Sequence, residues 1–313
     1  MIKQFAATIG LAMTMAVPAY AADTVQFDPD GSGAGGDITI GAWDWFFSSA
    51  VATDVIPAGA DLEFTTYSHA TLGGMTDGVG DPLFGTGLGI DYEITFVTGF
   101  DEKVTDFAQT GAVCDGVCDG GGDDVYSFTQ TIQLGDPASQ ATSFFEVYWD
   151  DAKNATSLGG TGFNDGTLIL SGQVSSVSGV FTSDFSFTDT NNNGVYDAGV
   201  DTLNTVLLDQ NSNGDQWNGQ QTVEGEGATT LSADIAYQNN DFFKTEVGNL
   251  IFDLDFNTSN ILPFNETNPS QSYWNGSSFG VPTLGGINGS SGPDIVFQAD
   301  ANNSFNTLKE VPE

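Results

Sequence analysis

The segment NLIFDLDF, residues 249–256, decides the fold class. Leu250, Phe252, Leu254 and Phe256 alternate with Asp253 and Asp255, the period-two pattern of a strand with one wet and one buried face. The same signature recurs in DLEFTTYSHA (61–70), GIDYEITFVTGF (89–100), DVYSFTQTIQL (124–134) and SFFEVYWD (143–150). It continues in GTLILSGQV (166–174), GVFTSDFSFTD (179–189), TLSADIAYQ (230–238) and DIVFQAD (294–300). Gly, Asn, Asp and Pro separate these runs, as turns between strands require. Helical patterning is scarce, and NDFFKTEVGN (240–249) is the one stretch that reads as a two-turn helix, ended by Gly248. The expectation is an all-β chain with very little helix, an antiparallel β-sandwich of jelly-roll-like form.

Composition agrees with a packed core. Hydrophobic residues make up 39% of the 313 positions and aromatics 12%, too many for a disordered acidic chain. The formal net charge is −37, from 42 acidic residues against five lysines and no arginine. Nucleic-acid binding rests on neutralising phosphates with Lys and Arg, so that class is excluded. Anionic membrane surfaces would repel the chain for the same reason. Cations are what such a chain attracts, and bound cations would offset its self-repulsion.

The N-terminus reads as a secretory leader over residues 1–21. Lys3 supplies the positive region, FAATIGLAMTMAV the apolar region, and Ala19-Tyr20-Ala21 the small-residue cleavage site. The apolar run is too short for a membrane span, so no insertion is expected after cleavage. Residues 22–308 then form a single β domain, with no repeat and no linker of distinct composition. Export permits disulfides, and Cys114 and Cys118 in VCDGVCDGGGDD allow one intrachain pair across a small loop. A structural zinc site would need further Cys or His ligands nearby, and there are none.

The stretch DTNNNGVYDAGVD (189–201) has calcium-loop spacing. In such loops side-chain oxygens come from positions 1, 3, 5 and 9, a carbonyl from position 7, and glycine turns at position 6. Asp189, Asn191, Asn193, Gly194, Val195 and Asp197 occupy those places, Val195 offering only its carbonyl. Val200 stands where a bidentate Glu is expected, and Asp201 takes that role one residue later. With no flanking helices this is a clamp on a strand connection, with an affinity for Ca²⁺ on the order of 10⁻⁴–10⁻³ M. A second, weaker match places Asp209, Asn211, Asn213 and Asp215 in the same register before Trp217 breaks it. A third, DPDGSGAGGD, sets Asp28, Asp30, Ser32 and Gly33 correctly and then loses position 9 to Gly36.

Catalytic chemistry is thin. His69 is the one imidazole and has no nucleophile elbow beside it, so hydrolytic triads are not expected. Carboxylate pairs occur in every loop and none is singled out by context. The chain reads as non-enzymatic. Trp and Tyr among amides and carboxylates in YWDD (148–151), DQWNGQ (215–220) and QSYWNGSS (271–278) are either loop anchors or sugar-stacking positions.

Two resemblances follow from these residues. The 189–201 loop resembles the D-x-N-x-N-G-x-x-D calcium loops of bacterial surface adhesins and dockerins, which implies the metal. The C-terminal LKEVPE, together with the leader and the Asp/Gly/Asn-rich β body, resembles exported bacterial proteins of the PEP-CTERM type. Val311, Pro312 and Glu313 match that sorting signal, while its final Pro, anchor helix and basic cluster are missing, so residues 309–313 read as its remnant. The resemblance implies a secreted or cell-surface matrix or adhesion protein of biofilm or floc. Its partners would be extracellular polysaccharide or further copies of itself. The alternatives are a calcium-dependent carbohydrate-binding module and a secreted glycan-active enzyme using paired carboxylates.

Overall fold

A computed structural model describes residues 23–33, 35–53, 59–113, 125–136, 142–156, 160–197, 199–204, 225–257, 276 and 295–308. The leader, Cys114, Cys118, the 209–215 loop and the C-terminal 309–313 lie outside the described residues. The chain is all-β and antiparallel. Its strands are β1 (Val25–Phe27), β2 (Ile38–Ile40), β3 (Ala42–Thr53), β4 (Glu63–Thr76), β5 (Glu93–Val113) and β6 (Val125–Leu134). They continue as β7 (Phe144–Asp150), β8 (Thr167–Thr188), β9 (Thr202–Asn204), β10 (Gly225–Gln238), β11 (Val247–Asn257) and β12 (Ile295–Thr307).

Strands β3 to β6 neighbour one another in chain order, as do β10 to β12. The sheet then returns on itself, because β12 pairs β3 and β10 pairs β8. Between β5 and β8 the neighbours change along the strand: β6 bonds the lower stretch of each and β7 the upper. The result is a sandwich-like closed sheet in which, among the described residues, only short β9 has a single bonded neighbour. β1 and β2 form a separate two-stranded sheet beside one pole. At that pole the Asp23 carboxylate accepts the N–H and the hydroxyl of Thr307, which ties the start of the described chain to its end.

The core lies between the two walls of the closed sheet. Phe252 of β11 meets Phe145 of β7 and Phe96 of β5 at ring-centroid distances of 4.9 and 6.1 Å. Phe96 in turn meets Trp45 of β3 edge-on at 4.8 Å. Each buried Phe contributes roughly 2–3 kcal/mol by leaving water. On β8, Val174 and Val177 are buried while Gln173, Ser175, Ser176 and Ser178 are exposed, and so is Val180 further along the strand. No helix among the described residues is long and apolar enough to cross a membrane.

Three sequence expectations change. Residues 240–249 are not a helix: turns and bends occupy 240–245 and Val247 opens β11. Adjacent Phe242 and Phe243 are both buried against Phe27, and a helix would have turned them about 100° apart. Their backbone instead bonds the first strand region, Asp28 donating to the Phe242 carbonyl and Lys244 to that of Gln26. The runs 166–174 and 179–189 are one strand, β8. Gly172 and Gly179 are there not as turn residues but because β10 runs so close. A Cβ at Gly172 would sit 1.9 Å from the Asp234 carbonyl oxygen, and one at Gly179 2.1 Å from Thr229. Finally β3 escapes the pattern search, because an extra residue around Phe46-Phe47 breaks its alternation.

Candidate metal centre

The 189–201 loop begins where β8 ends, at the pole opposite Asp23 and Thr307. Asp189 is the first residue past the strand, and its side chain turns back beneath its own loop. One carboxylate oxygen, Oδ2, accepts the Gly194 N–H at 2.7 Å. The N–H groups of Gly194, Asn193, Asn192 and Asn191 hold this carboxyl below the usual carboxylate range, against the effect of desolvation. Asn192 and Gly194 adopt positive φ (57° and 74°), which lets successive N–H groups curl toward one centre. The other oxygen, Oδ1, is buried and finds no donor among the described residues.

The middle of the loop is two linked side-chain turns. Asn191 Oδ1 accepts the Asn193 N–H at 3.1 Å, and Asn193 Oδ1 accepts the Val195 N–H at 2.8 Å. The amide Nδ2 groups of both asparagines donate to Asp197 Oδ2 at 2.7 Å. Asp201 closes the far side: its two oxygens accept the Thr190 and Asp197 N–H groups at 2.8 and 2.7 Å. The loop therefore gathers Asp189, Asn191, Asn193, Asp197 and Asp201, whereas the Val195 and Val200 side chains point to solvent. Asp201 is 8% exposed, turned inward as a position-12 residue would be.

Among the described residues no cluster of three or more carboxylate, imidazole or thiol groups forms a ready-made cage. Two Nδ2 donors now satisfy Asp197, and an amide turned by 180° would offer oxygen in their place. The donor set is then three carboxylates, two amide oxygens and the Val195 carbonyl, an all-oxygen set suited to a hard cation. None of the ion pairs among the described residues reaches this loop: Lys103 serves Glu63 and Asp136, and Lys244 serves Asp28.

Tyr196 anchors the loop to the sheet. Its ring packs on Phe128 at 5.5 Å, Phe187 at 5.6 Å and Phe107 at 6.1 Å, and its N–H donates to Gln109 Oε1 at 3.0 Å. Its place between two ligand positions gives the sequence no signal of this role.

The Asp28 loop, at the other pole, repeats the geometry. Asp28 Oδ2 accepts the Gly33 N–H at 2.9 Å, five residues on, as Asp189 does with Gly194. Asp30 Oδ1 accepts the Ser32 N–H at 2.9 Å, as Asn191 does with Asn193. Here a cation is built in: the Lys244 ammonium lies 3.8 Å from Asp28 Oδ2 and donates to the carbonyls of Asn240 and Asp241. Lys244 is far away in sequence, and nothing local predicts the pairing.

His69 and the YWDD rings, which the sequence singled out, and Glu93 and Glu102, which it did not, are all held by neighbours in the structure. His69 is buried, stacked 4.0 Å from Phe163, and burial pulls its imidazole down to about 3. Glu93 Oε1 accepts the N–H groups of Asn154 and Ala155, and burial pushes its carboxyl up. Glu102 points into the core with the Thr66 hydroxyl donating to it, and desolvation raises it to about 7. In YWDD, Trp149 stacks on Tyr92 and donates to the Pro29 carbonyl, while Tyr148 donates to Glu146. These rings fasten loops. DQWNGQ and, apart from Gly276, QSYWNGSS lie outside the described residues. No family model, curated protein or solved structure matches this chain.

Proposed function

We propose that the chain is an exported, non-enzymatic matrix or adhesion protein whose closed β-sheet is clamped by Ca²⁺ at residues 189–201. The observation that carries the ion is Asp189 Oδ1. A buried carboxylate oxygen without a donor is costly, and it lies in a loop with two further carboxylates and no lysine. A divalent cation bonded by Asp189, Asn191, Asn193, the Val195 carbonyl, Asp197 and Asp201 relieves that cost. Extracellular Ca²⁺ is abundant enough for a site of modest affinity. The leader-like N-terminus and the resemblance to PEP-CTERM-type exported proteins support the compartment and the matrix role. Tied-down side chains at His69, Glu93 and Trp149 favour binding over catalysis.

The ion is tested by melting the protein with Ca²⁺, Mg²⁺ or chelator, for the native chain and for Asp189→Ala. Ca²⁺ is expected to raise the melting temperature of the native chain alone; identical curves in Ca²⁺ and chelator remove the ion. The matrix role is tested by sedimentation and by retention on polysaccharide. Calcium-dependent self-association or glycan retention is expected, with no reducing sugar released. Sugar release would replace this reading with a glycan-active enzyme.

A further inference from the structure

On the outer wall, β4, β5 and the start of β7 enclose a cavity of about 80 Å³. The register places Thr65 beside Asp101 and Tyr67 beside Gly99, with Gly99 also facing Phe144. Gly99 is a close-approach glycine: a Cβ there would lie 2.6 Å from the Phe144 ring and 2.8 Å from the Tyr67 ring. Two aromatic rings thus meet over bare backbone and form an apolar floor. Polar groups crowd the other side. Thr65 donates to Asp101 Oδ1 at 2.6 Å and Thr142 to Asp101 Oδ2 at 3.1 Å, so the carboxylate is held fixed. The Ser143 hydroxyl is buried, on a residue 3% exposed, and has no hydrogen-bond partner among the described residues.

We propose that this pocket is a subsite for the edge of a neutral sugar. It rests on the matrix reading above and narrows the partner from polysaccharide or self to a neutral glycan. The volume fits roughly two to three water-sized groups, enough for two vicinal hydroxyls or a hydroxymethyl arm. Sugar C–H faces pack on Tyr67 and Phe144, one hydroxyl donates to Asp101, and another pairs with the Ser143 hydroxyl, which no described residue satisfies. Charge selects against acidic sugars: Asp101 lines the pocket, and the nearby Lys103 is committed to Glu63 and Asp136. The Asp101 charge also adds to burial in raising the Tyr67 phenol, so Tyr67 stays neutral and able to donate.

The test is retention of the full mature chain on an array of neutral and uronic-acid glycans, in Ca²⁺ and in chelator, with melting curves alongside. At least one neutral glycan is expected to be retained, with tenfold weaker retention for Ser143→Ala. Ser143→Leu, which fills the cavity, should lose retention while keeping the Ca²⁺-induced melting shift. No neutral glycan retained, or retention unchanged in Ser143→Ala, overturns the subsite. If Ser143→Leu does not fold, Ser143→Ala decides. Self-association in Ca²⁺ without glycan retention would leave the matrix reading standing and remove this site alone.

Discussion

The loops at the two poles solve one electrostatic problem in different ways. Asp28 and Asp189 each open a loop, each accept the N–H of a glycine five residues on, and each are nine-tenths or more buried. Asp28 has Lys244 beside it; Asp189 has an oxygen with no donor. A chain with five lysines can supply an internal cation to few of its 42 acidic residues. Elsewhere the charge must be met from solution or suppressed by holding a proton. Glu102 takes the last course: buried beside Thr66, it keeps its proton to about pH 7. Lysine, dissolved cation and proton are thus three answers to the same cost.

Substitutions can separate the three. The largest expected effect is at Glu102. Its folded value lies above its unfolded value of 4.5, so its penalty is absent below pH 4.5, grows as pH rises, and is complete above about 7. Glu102→Gln should therefore gain up to about 3 kcal/mol at pH 9 and nothing at pH 4, read by urea unfolding. An equal effect at both values would mean that the carboxyl is not protonated in the core. Next is Asp28→Ala, which leaves the Gly33 N–H without its acceptor and removes the carboxylate that faces Lys244. A loss of about 2–3 kcal/mol is expected, the same in Ca²⁺ as in chelator; calcium dependence of this loss would break the distinction between the loops.

Calcium itself comes third. At ten to a hundred times its dissociation constant it should add about 2 kcal/mol, an effect absent in Asp189→Asn. Acid works here in the opposite direction from Glu102. The Asp189 carboxyl is lowered, so its contribution is present above the ordinary carboxylate range and is lost as pH falls through that range. The smallest effect sharpens the comparison most. Lys244→Met should cost about 1 kcal/mol in chelator and recover part of it on adding Ca²⁺, as an external ion replaces the ammonium. A loss that Ca²⁺ does not touch would show that the Asp28 loop is bound to lysine alone.

Sequence periodicity carried most of the fold. Residues 249–256 alternate as expected, and Phe252 and Leu254 are buried with Asp253 exposed. The failures share a cause: a local signal with a distant reason. Residues 166–174 and 179–189 read as two strands, yet Gly172 and Gly179 lie in one, where they answer to Asp234 and Thr229 on a strand far along the chain. Phe242 and Phe243 read as a helix, yet Phe27 decides their placement. The candidate centre divides the same way. Ligand spacing at Asp189, Asn191, Asn193 and Asp197 is local and legible, and so is the inward turn of Asp201. Lys244 beside Asp28, Tyr196 against Phe128, and the meeting of Tyr67 with Phe144 over Gly99 are long-range and are not.

The bond between Asp23 and Thr307 has a consequence for orientation. It places both ends of the described chain at one pole, while the 189–201 loop lies at the other. A tether at either end would hold the molecule upright, with the 189–201 loop as the leading tip and the Ser143 pocket along its flank. A pull on both ends together would load the Asp23–Thr307 latch before it reached that loop.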